Sequence, residues 1–355
     1  MSDKSFRVAI LDDFEQIADK VPAYGRLNAR ADVAVFRDRL DTSERIVAAL
    51  RDFDAILLMR ERTRLSDNEY SQLPKLKFIS QTGRTSVHLD LPSASKRGIT
   101  VAGTPADNGS ATKELTIGLI LALLRKIPQV AGRMRTESWP PITGRILEGK
   151  TVGVLGFGRI GTEVGRILKV FNTRVLAYSR TLTAERANEV GAESVSMETL
   201  LRESDIMTIH INLNAQTRGV IGEKEFALMK RGALLVNTAR GPIVSEPAMI
   251  QALESGHLGG VGLDVFDIEP LPLDHPLRRF DNAIRQAANH RRSGEGSHQA
   301  HGATQTRWTR AKRMRAIRSA RAGLSILSCR RASESRPRRR GRRNDQRPSR
   351  RDPEL

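Results

Sequence analysis

The stretch Val152-Gly-Val-Leu-Gly-Phe-Gly-Arg-Ile-Gly161 places Gly156, Gly158 and Gly161 at G-x-G-x-x-G spacing behind a short apolar run. Residue types in this pattern bind phosphate. Gly156 allows a tight turn, Gly158 lets backbone N–H groups approach a pyrophosphate, and Gly161 lets a helix lie close on a strand. The phosphates then sit at the positive end of a helix dipole. Three glycines can also be merely a turn. Here an amphipathic segment, Arg159 to Phe171, follows at once, so strand, loop and helix come in the required order. Gly156, Phe157, Gly158, Arg159, Ile160 and Gly161 are therefore candidate contacts to a dinucleotide.

A second strand should end about 20 residues on, where an acid would bind the ribose 2′-OH of NAD. The sequence there is Tyr178-Ser179-Arg180-Thr181, with no carboxylate. Ser179 and Thr181 can donate hydrogen bonds, and Arg180 can pair with a 2′-phosphate or stack on adenine. The pattern favours NADP over NAD, against the plainer reading of Arg180 as a solvated loop residue. Further on, Leu235-Val-Asn-Thr-Ala-Arg-Gly-Pro242 is an apolar strand ending at Arg240. An arginine there can grip a carboxylate bidentately, or simply form a surface salt bridge. Asp264 and Glu269 end another strand. A glutamate at such an edge can orient a histidine and raise its pKa, or can be a capping or solvated carboxylate.

Such residues need strands to carry them. Residues 1–103 alternate between strands (Arg7–Leu11, Val33–Phe36, Ala55–Met59, Lys77–Gln81, Thr100–Ala102) and helical patterns such as Ser43–Arg51 and Ser66–Leu73. This alternation predicts a parallel sheet covered on both faces, with a ligand crevice beyond Asp12-Asp13. A long helix, capped by Asn108–Ser110 and running through Glu114 to about Val130, connects it to a second unit. Residues 151–284 repeat the pattern with strands Thr151–Leu155, Arg174–Tyr178, Ile206–His210, Ala233–Asn237 and Val261–Val265. The helical patterns between them are Ala184–Val190, Met197–Glu203, Glu223–Met229 and Glu246–Ser255, with Gly232 and Gly256 as helix stops. The fold class is α/β. It has two doubly wound parallel-sheet domains, a flavodoxin-like substrate domain (1–103) and a Rossmann NAD(P)-binding domain (104–284), followed by a tail (285–355).

Composition fits that plan. The 355 residues are enough for two domains, and 39% apolar content can bury a core. The one cysteine, Cys329, excludes an internal disulfide and points to a reducing, cytoplasmic setting. The N-terminus has no apolar signal core, and the longest apolar run, Leu115 to Leu124, is shorter than the roughly 20 residues a bilayer needs. The net charge of +19 is unevenly placed, because residues 285–355 alone hold 20 Arg and one Lys against five acids. The body is nearly neutral. No metal-ligand pattern is apparent.

Together these residues resemble one family, the D-isomer-specific 2-hydroxyacid dehydrogenases. The resemblance runs from about residue 7 to 284. It rests on the glycine loop, Asn237-Thr-Ala-Arg-Gly241, Asp264-Val-Phe-Asp-Ile-Glu-Pro270, Glu114 in Ala111-Thr-Lys-Glu-Leu115, and the segment Ile209–Gly222, which carries Asn212 where proline is often found. It implies hydride transfer between NAD(P)H and a small 2-oxo or 2-hydroxy acid, in a homodimer. Arg240 would hold the acid, Glu269 would pair with a catalytic histidine, and Asp264 would sit near the nicotinamide. His210, Thr238 and Ala239 would border the cofactor. Gln81-Thr-Gly-Arg-Thr-Ser-Val-His88 resembles the substrate-carboxylate loop, so Gly83, Arg84 and Thr85 are substrate candidates together with Arg60 at a neighbouring strand end. Arg84 and Thr85 depart from the commoner glycine-rich loop. Arg60 can also be read as a solvated charge, and His88 as structural.

The resemblance stops near Ile284. The expected Pro-His-x-Gly is replaced by Arg285-Gln-Ala-Ala-Asn-His-Arg-Arg292. His290 lies near the expected distance with the wrong neighbours, and His298 and His301 are weaker candidates. Periodicity is lost and composition turns Arg-rich at the same point, predicting a disordered tail. A shift of reading frame accounts for all three changes. Resequencing around codon 284 tests it, and a clean frame with this tail present in the native protein removes it. The competing reading is a genuine basic tail that binds nucleic acid, although Trp308 is its one aromatic residue. A dinucleotide-binding regulator without turnover is a further alternative.

Overall fold

The computed structural model describes residues 6–83, 87–104, 109–137 and 139–286. Arg84, Thr85, Asn108, His290, His298, His301, Trp308 and Cys329 lie outside the described residues, as does the Arg-rich tail from residue 287.

The first sheet comprises β1 (Arg7–Leu11), β2 (Asp32–Val35), β3 (Ala55–Leu58), β4 (Phe78–Gln81) and β5 (Thr100–Gly103). Its strands are all parallel, in the order β2-β1-β3-β4-β5. This is the flavodoxin-like order, whose switch point lies between β1 and β3. Helices α1 (Pro22–Asn28), α2 (Ser43–Leu50), α3 (Asp67–Gln72) and α4 (Leu91–Lys96) connect the strands. β3 is buried along its whole length, as a central parallel strand covered on both faces must be.

Two helices, α5 (Ser110–Arg125) and α6 (Ile127–Arg133), lead to the second sheet. The single helix expected from 108 to about 130 is therefore two, meeting at 57°. Pro128 is the physical reason, since it has no N–H for the Leu124 carbonyl. Lys126 turns the chain at φ 55°, and the Arg145 N–H takes the freed Leu124 oxygen at 2.7 Å. No single helix among the described residues is long and apolar enough to cross a membrane. α5 instead places Leu119, Ile120, Leu123 and Leu124 in a core with Val152, Val154 and Val236.

The second sheet comprises β6 (Thr151–Leu155), β7 (Arg174–Tyr178), β8 (Glu193–Ser194), β9 (Ile206–Ile209), β10 (Ala233–Asn237), β11 (Leu258–Leu263) and β12 (Ala283–Arg285). All are parallel, in the order β12-β11-β10-β9-β6-β7-β8. Counted from β6, this is the Rossmann order 3-2-1-4-5-6 with a seventh strand, so the crevice falls between β6 and β9. Helices α7 (Arg159–Val170), α8 (Ala184–Asn188), α9 (Met197–Glu203), α10 (Glu223–Leu228) and α11 (Glu246–Glu254) connect these strands.

Three local expectations are corrected. The strand expected at Val261–Val265 begins at Leu258 and ends at Leu263. Gly259 and Gly260 belong to the ladder because neighbouring backbone leaves no room there: a Cβ on Gly260 would lie 2.7 Å from the Asn282 carbonyl oxygen. Gly232 does not stop α10, which ends four residues before it. It sits in a turn at φ 79°, its N–H on the His257 carbonyl. Gly256 follows α11 at φ 64°, as expected. The last strand continues one residue past Ile284. Arg285 pairs with Leu263, and the Gln286 N–H donates to the Leu263 carbonyl.

Candidate active site

The glycine loop joins β6 to α7, and each glycine has its own steric reason. Gly156 adopts φ 97°, and a Cβ there would lie 2.7 Å from the His210 carbonyl. At Gly161 a Cβ would sit 1.9 Å from the Gly156 oxygen, so helix and loop meet backbone to backbone. Gly158 differs, because nothing lies within 4 Å of where its Cβ would be. That open face at the start of α7 leaves room for a pyrophosphate to reach the first helical N–H groups, and the loop fits a dinucleotide. Beside it lies a groove of about 410 Å³ lined by Lys113, Gly158, Arg159, Thr162, Glu163 and Arg186. The amphipathic α7 is held down by Val164 and Leu168, both fully buried.

β7 delivers Ser179, Arg180 and Thr181 to the same edge, where the Gly156 N–H donates to the Tyr178 carbonyl. Arg180 is exposed and donates to Gln216 Oε1 at 3.2 Å. β9 ends beside the loop at His210, whose Nε2 lies 3.0 Å from Thr208 Oγ1. Burial pushes the His210 ring down to about 4, so it is neutral at pH 7.

β10 ends in a turn shaped by Asn237. Its Oδ1 accepts the Ala239 N–H and its Nδ2 donates to the Arg240 carbonyl. Thr238 is buried, with its hydroxyl 3.0 Å from that of Thr116 on α5. A Cβ on Gly241 would fall 2.2 Å from the Phe266 carbonyl carbon, so the loops after β10 and β11 are in backbone contact. That contact brings Arg240 next to the segment carrying Asp264 and Glu269. Asp264 is buried, and its N–H donates to the Asn237 carbonyl.

The first domain supplies the opposite wall. Arg60 follows β3 at φ 69°, an unusual conformation for a residue with a Cβ, and donates its N–H to Thr82 Oγ1 at 2.7 Å. Its guanidinium faces Glu269, Arg240, Asp264 and Arg62, and desolvation pushes its pKa down. Arg60 Nη1 is buried without a hydrogen-bond acceptor among the described residues, a donor left over for something that enters the cleft. Gly83 lies on the adjoining loop at φ 117°, its N–H on Thr104 Oγ1.

The structure brings together Arg60, Arg240, Asp264 and Glu269 and places the glycine loop and His210 at the same sheet edge. His88 is buried, with both ring nitrogens unpartnered among the described residues. Desolvation pushes it down to about 4, and Glu61 and Arg240 lie within electrostatic reach of its ring. Two residues absent from the candidate set complete the cleft. Glu61 Oε2 accepts from Arg240 Nε at 3.0 Å, and Arg62 Nε lies 3.4 Å from Glu269 Oε2. Arg62 also forks onto Glu15 at 2.6 and 3.1 Å and stacks over Phe14. Their signal was the run Arg60-Glu-Arg-Thr-Arg64 after a strand. Among the described residues no histidine bonds to Glu269, and no group of three His, Cys, Asp or Glu could hold a metal ion.

The family model for the NAD binding domain of D-isomer specific 2-hydroxyacid dehydrogenases matches residues 117–287. A glyoxylate reductase of Thermofilum pendens is 37% identical over 276 residues, spanning 74% of this chain and 80% of the relative. A D-3-phosphoglycerate dehydrogenase of Bacillus subtilis is 36% identical over 230 residues, and those span 43% of that longer protein. The crystal structure of a phosphoglycerate oxidoreductase from Vibrio cholerae superposes with a TM-score of 0.78 at 28% identity, covering 86% of this chain and 99% of that one. The chain belongs to the D-isomer specific 2-hydroxyacid dehydrogenases, a family of oxidoreductases that bind a nicotinamide dinucleotide and act on small 2-oxo or 2-hydroxy acids.

Proposed function

We propose that this protein reduces a small 2-oxo acid with NADPH, residues 1–103 forming the substrate domain and residues 104–284 the cofactor domain. The observation that carries the reading is the convergence of Arg240, Glu269 and Asp264 with Arg60 beside a glycine loop open at Gly158. When bound, the nicotinamide supplies the hydride. Arg240 grips the acid's carboxylate and turns its C2 carbonyl toward the cofactor, Arg60 Nη1 donates to the same oxygens, and Gly83 offers the neighbouring loop. Arg84 and Thr85 border that loop in sequence. Asp264, Thr238, Ala239 and His210 line the nicotinamide side. Glu269, held by Arg62, is the acid that would orient a proton donor, and His290 lies near the sequence distance at which the family resemblance expects one. A positioned donor contributes roughly 10²–10⁴ to such a rate, so cofactor and acid binding are the sharper tests.

NADPH is preferred on charge. No carboxylate lies in Tyr178–Thr181, Arg180 stands in that segment, and Lys113, Arg159 and Arg186 outnumber Glu163 in the lining of the groove beside the glycine loop. A 2′-phosphate would gain a charge-assisted hydrogen bond there, worth about 1.5 kcal/mol or roughly tenfold. Fluorescence titration should give a lower Kd for NADPH than for NADH, and Arg180→Ala should raise the NADPH value about tenfold while leaving NADH within twofold. Tighter NADH binding by the unaltered protein overturns the preference.

A homodimer accompanies this reading. α6 buries none of its residues, and Ile127, Met134, Trp139 and Ile146 are all exposed on and after it. Exposed apolar side chains along one segment are candidates for a protein contact. Sedimentation should report two chains per particle, with Trp139→Glu shifting the population toward one; a single chain at all concentrations excludes the dimer.

A further inference from the structure

Two consecutive residues after β3 reach across the cleft and exchange charges with the two residues assigned to the chemistry. Glu61 takes Arg240 and Arg62 takes Glu269. The exchange is reciprocal, acid to base and base to acid. The positive φ at Arg60 turns the chain so that both side chains leave the strand end toward the other domain. Arg62 is fixed from behind by Glu15 and by the Asp12 carbonyl at 2.9 Å, so the dipeptide has a rigid base. The Glu61 side chain is only 12% exposed, whereas that of Arg240 is 37% exposed. The contact therefore lies at the mouth of the cleft, within reach of a solute.

We propose that Glu61 is a positioning residue that occupies, on Arg240, the place of the substrate's carboxylate. The inference rests on the reading of Arg240 as the acid's anchor. A side-chain carboxylate on Arg240 Nε uses the same donor edge that a 2-oxo acid needs. Glu61 thus holds the guanidinium in register before the acid arrives, and every acid that binds must displace it. The consequence is a weaker affinity than Arg240 could otherwise give. A second consequence is selectivity. After displacement the Glu61 carboxylate remains beside the pocket, where a like charge disfavours any acid carrying a second negative group. The site therefore favours a small monoanionic 2-oxo acid over a dianionic one.

The test uses the full chain saturated with NADPH and titrated calorimetrically with oxamate, a monoanionic mimic of a 2-oxo acid that is not reduced. Glu61→Gln keeps the shape and removes the charge, and oxamate should bind about tenfold tighter with NADPH affinity unchanged. Glu61→Asp, too short to reach Arg240, should tighten binding in the same direction. Oxalate, the dianion, should gain more from Glu61→Gln than oxamate does. Unchanged or weaker oxamate binding in both variants overturns the role given to Glu61 while leaving the Arg240 anchor intact. Failure of every form of the protein to bind oxamate removes the anchor and the role of Glu61 together.

Discussion

Gly161→Ala is expected to weaken NADPH binding by about 10²-fold and to lower the midpoint of thermal unfolding by several degrees. The added methyl would lie 1.9 Å from the Gly156 carbonyl oxygen and 3.2 Å from Val154 Cγ1. The nearer atom is backbone, so no side chain can swing away. Either α7 lifts off β6 or the glycine loop distorts. Lifting α7 loosens Val164 and Leu168, both fully buried, an overpacking cost of about 1–3 kcal/mol. For a domain of this size each kcal/mol is worth roughly 2–4 °C. Distortion instead moves the N–H groups that receive the pyrophosphate, and a displacement near 1 Å is enough for a loss of about 10². Gly158→Ala separates the two effects. Its Cβ meets nothing within 4 Å and its φ of −84° suits any residue. This variant should unfold at the temperature of the unaltered protein while still losing NADPH affinity, because the methyl stands where the phosphates approach. Differential scanning fluorimetry with and without NADPH reads both quantities. If Gly161→Ala binds the cofactor normally, the loop does not cradle it.

That contrast was legible in the sequence because the glycine spacing encodes backbone contacts within one strand–loop–helix unit. The same holds for most strands, whose apolar runs match the observed limits to within a residue or two. Reading failed where the deciding contact is remote. Gly259 and Gly260 look like strand breakers until Asn282 and the turn at Gly232 are seen pressed against them. The break at Lys126 carried a local signal in Pro128, outweighed by the apolar run before it. Glu61 and Arg62 show the limit most plainly. In sequence they belong to a charged run after a strand, where solvation is the usual fate. Their role depends on Arg240 and Glu269, 179 and 207 positions further on, and those positions are brought near by two independent strand-end loops meeting at Gly241. Periodicity places strands, but it does not say which strand ends of two sheets will face each other.

Arg240→Lys should raise the Kd for oxamate in the NADPH-loaded protein by roughly 10²–10³, although the charge is kept. The guanidinium sits at the end of a turn built for its shape. Asn237 fixes the Arg240 carbonyl and the Ala239 N–H, and Arg240 Nη1 donates to the Ala239 carbonyl at 2.7 Å, which aims the remaining edge into the cleft. A planar fork can give two parallel hydrogen bonds to a carboxylate, whereas an ammonium on a flexible stem offers a point charge. Losing one charge-assisted bond and the alignment of the second costs about 3–4 kcal/mol, the source of that factor. Lysine also loses the Ala239 contact, so its ammonium has no anchor to keep it from settling on Glu61. Cofactor affinity should stay within twofold, because in the proposed reading Arg240 meets the acid while the glycine loop after β6 takes the pyrophosphate. Where the protein turns over, kcat/KM for the 2-oxo acid should fall by at least the same factor, since the carboxylate grip also sets the angle at which C2 meets the nicotinamide. Unchanged oxamate affinity in Arg240→Lys would falsify the bidentate grip, leaving Arg60 Nη1, a buried donor of the cleft without an acceptor among the described residues, as the acid's anchor.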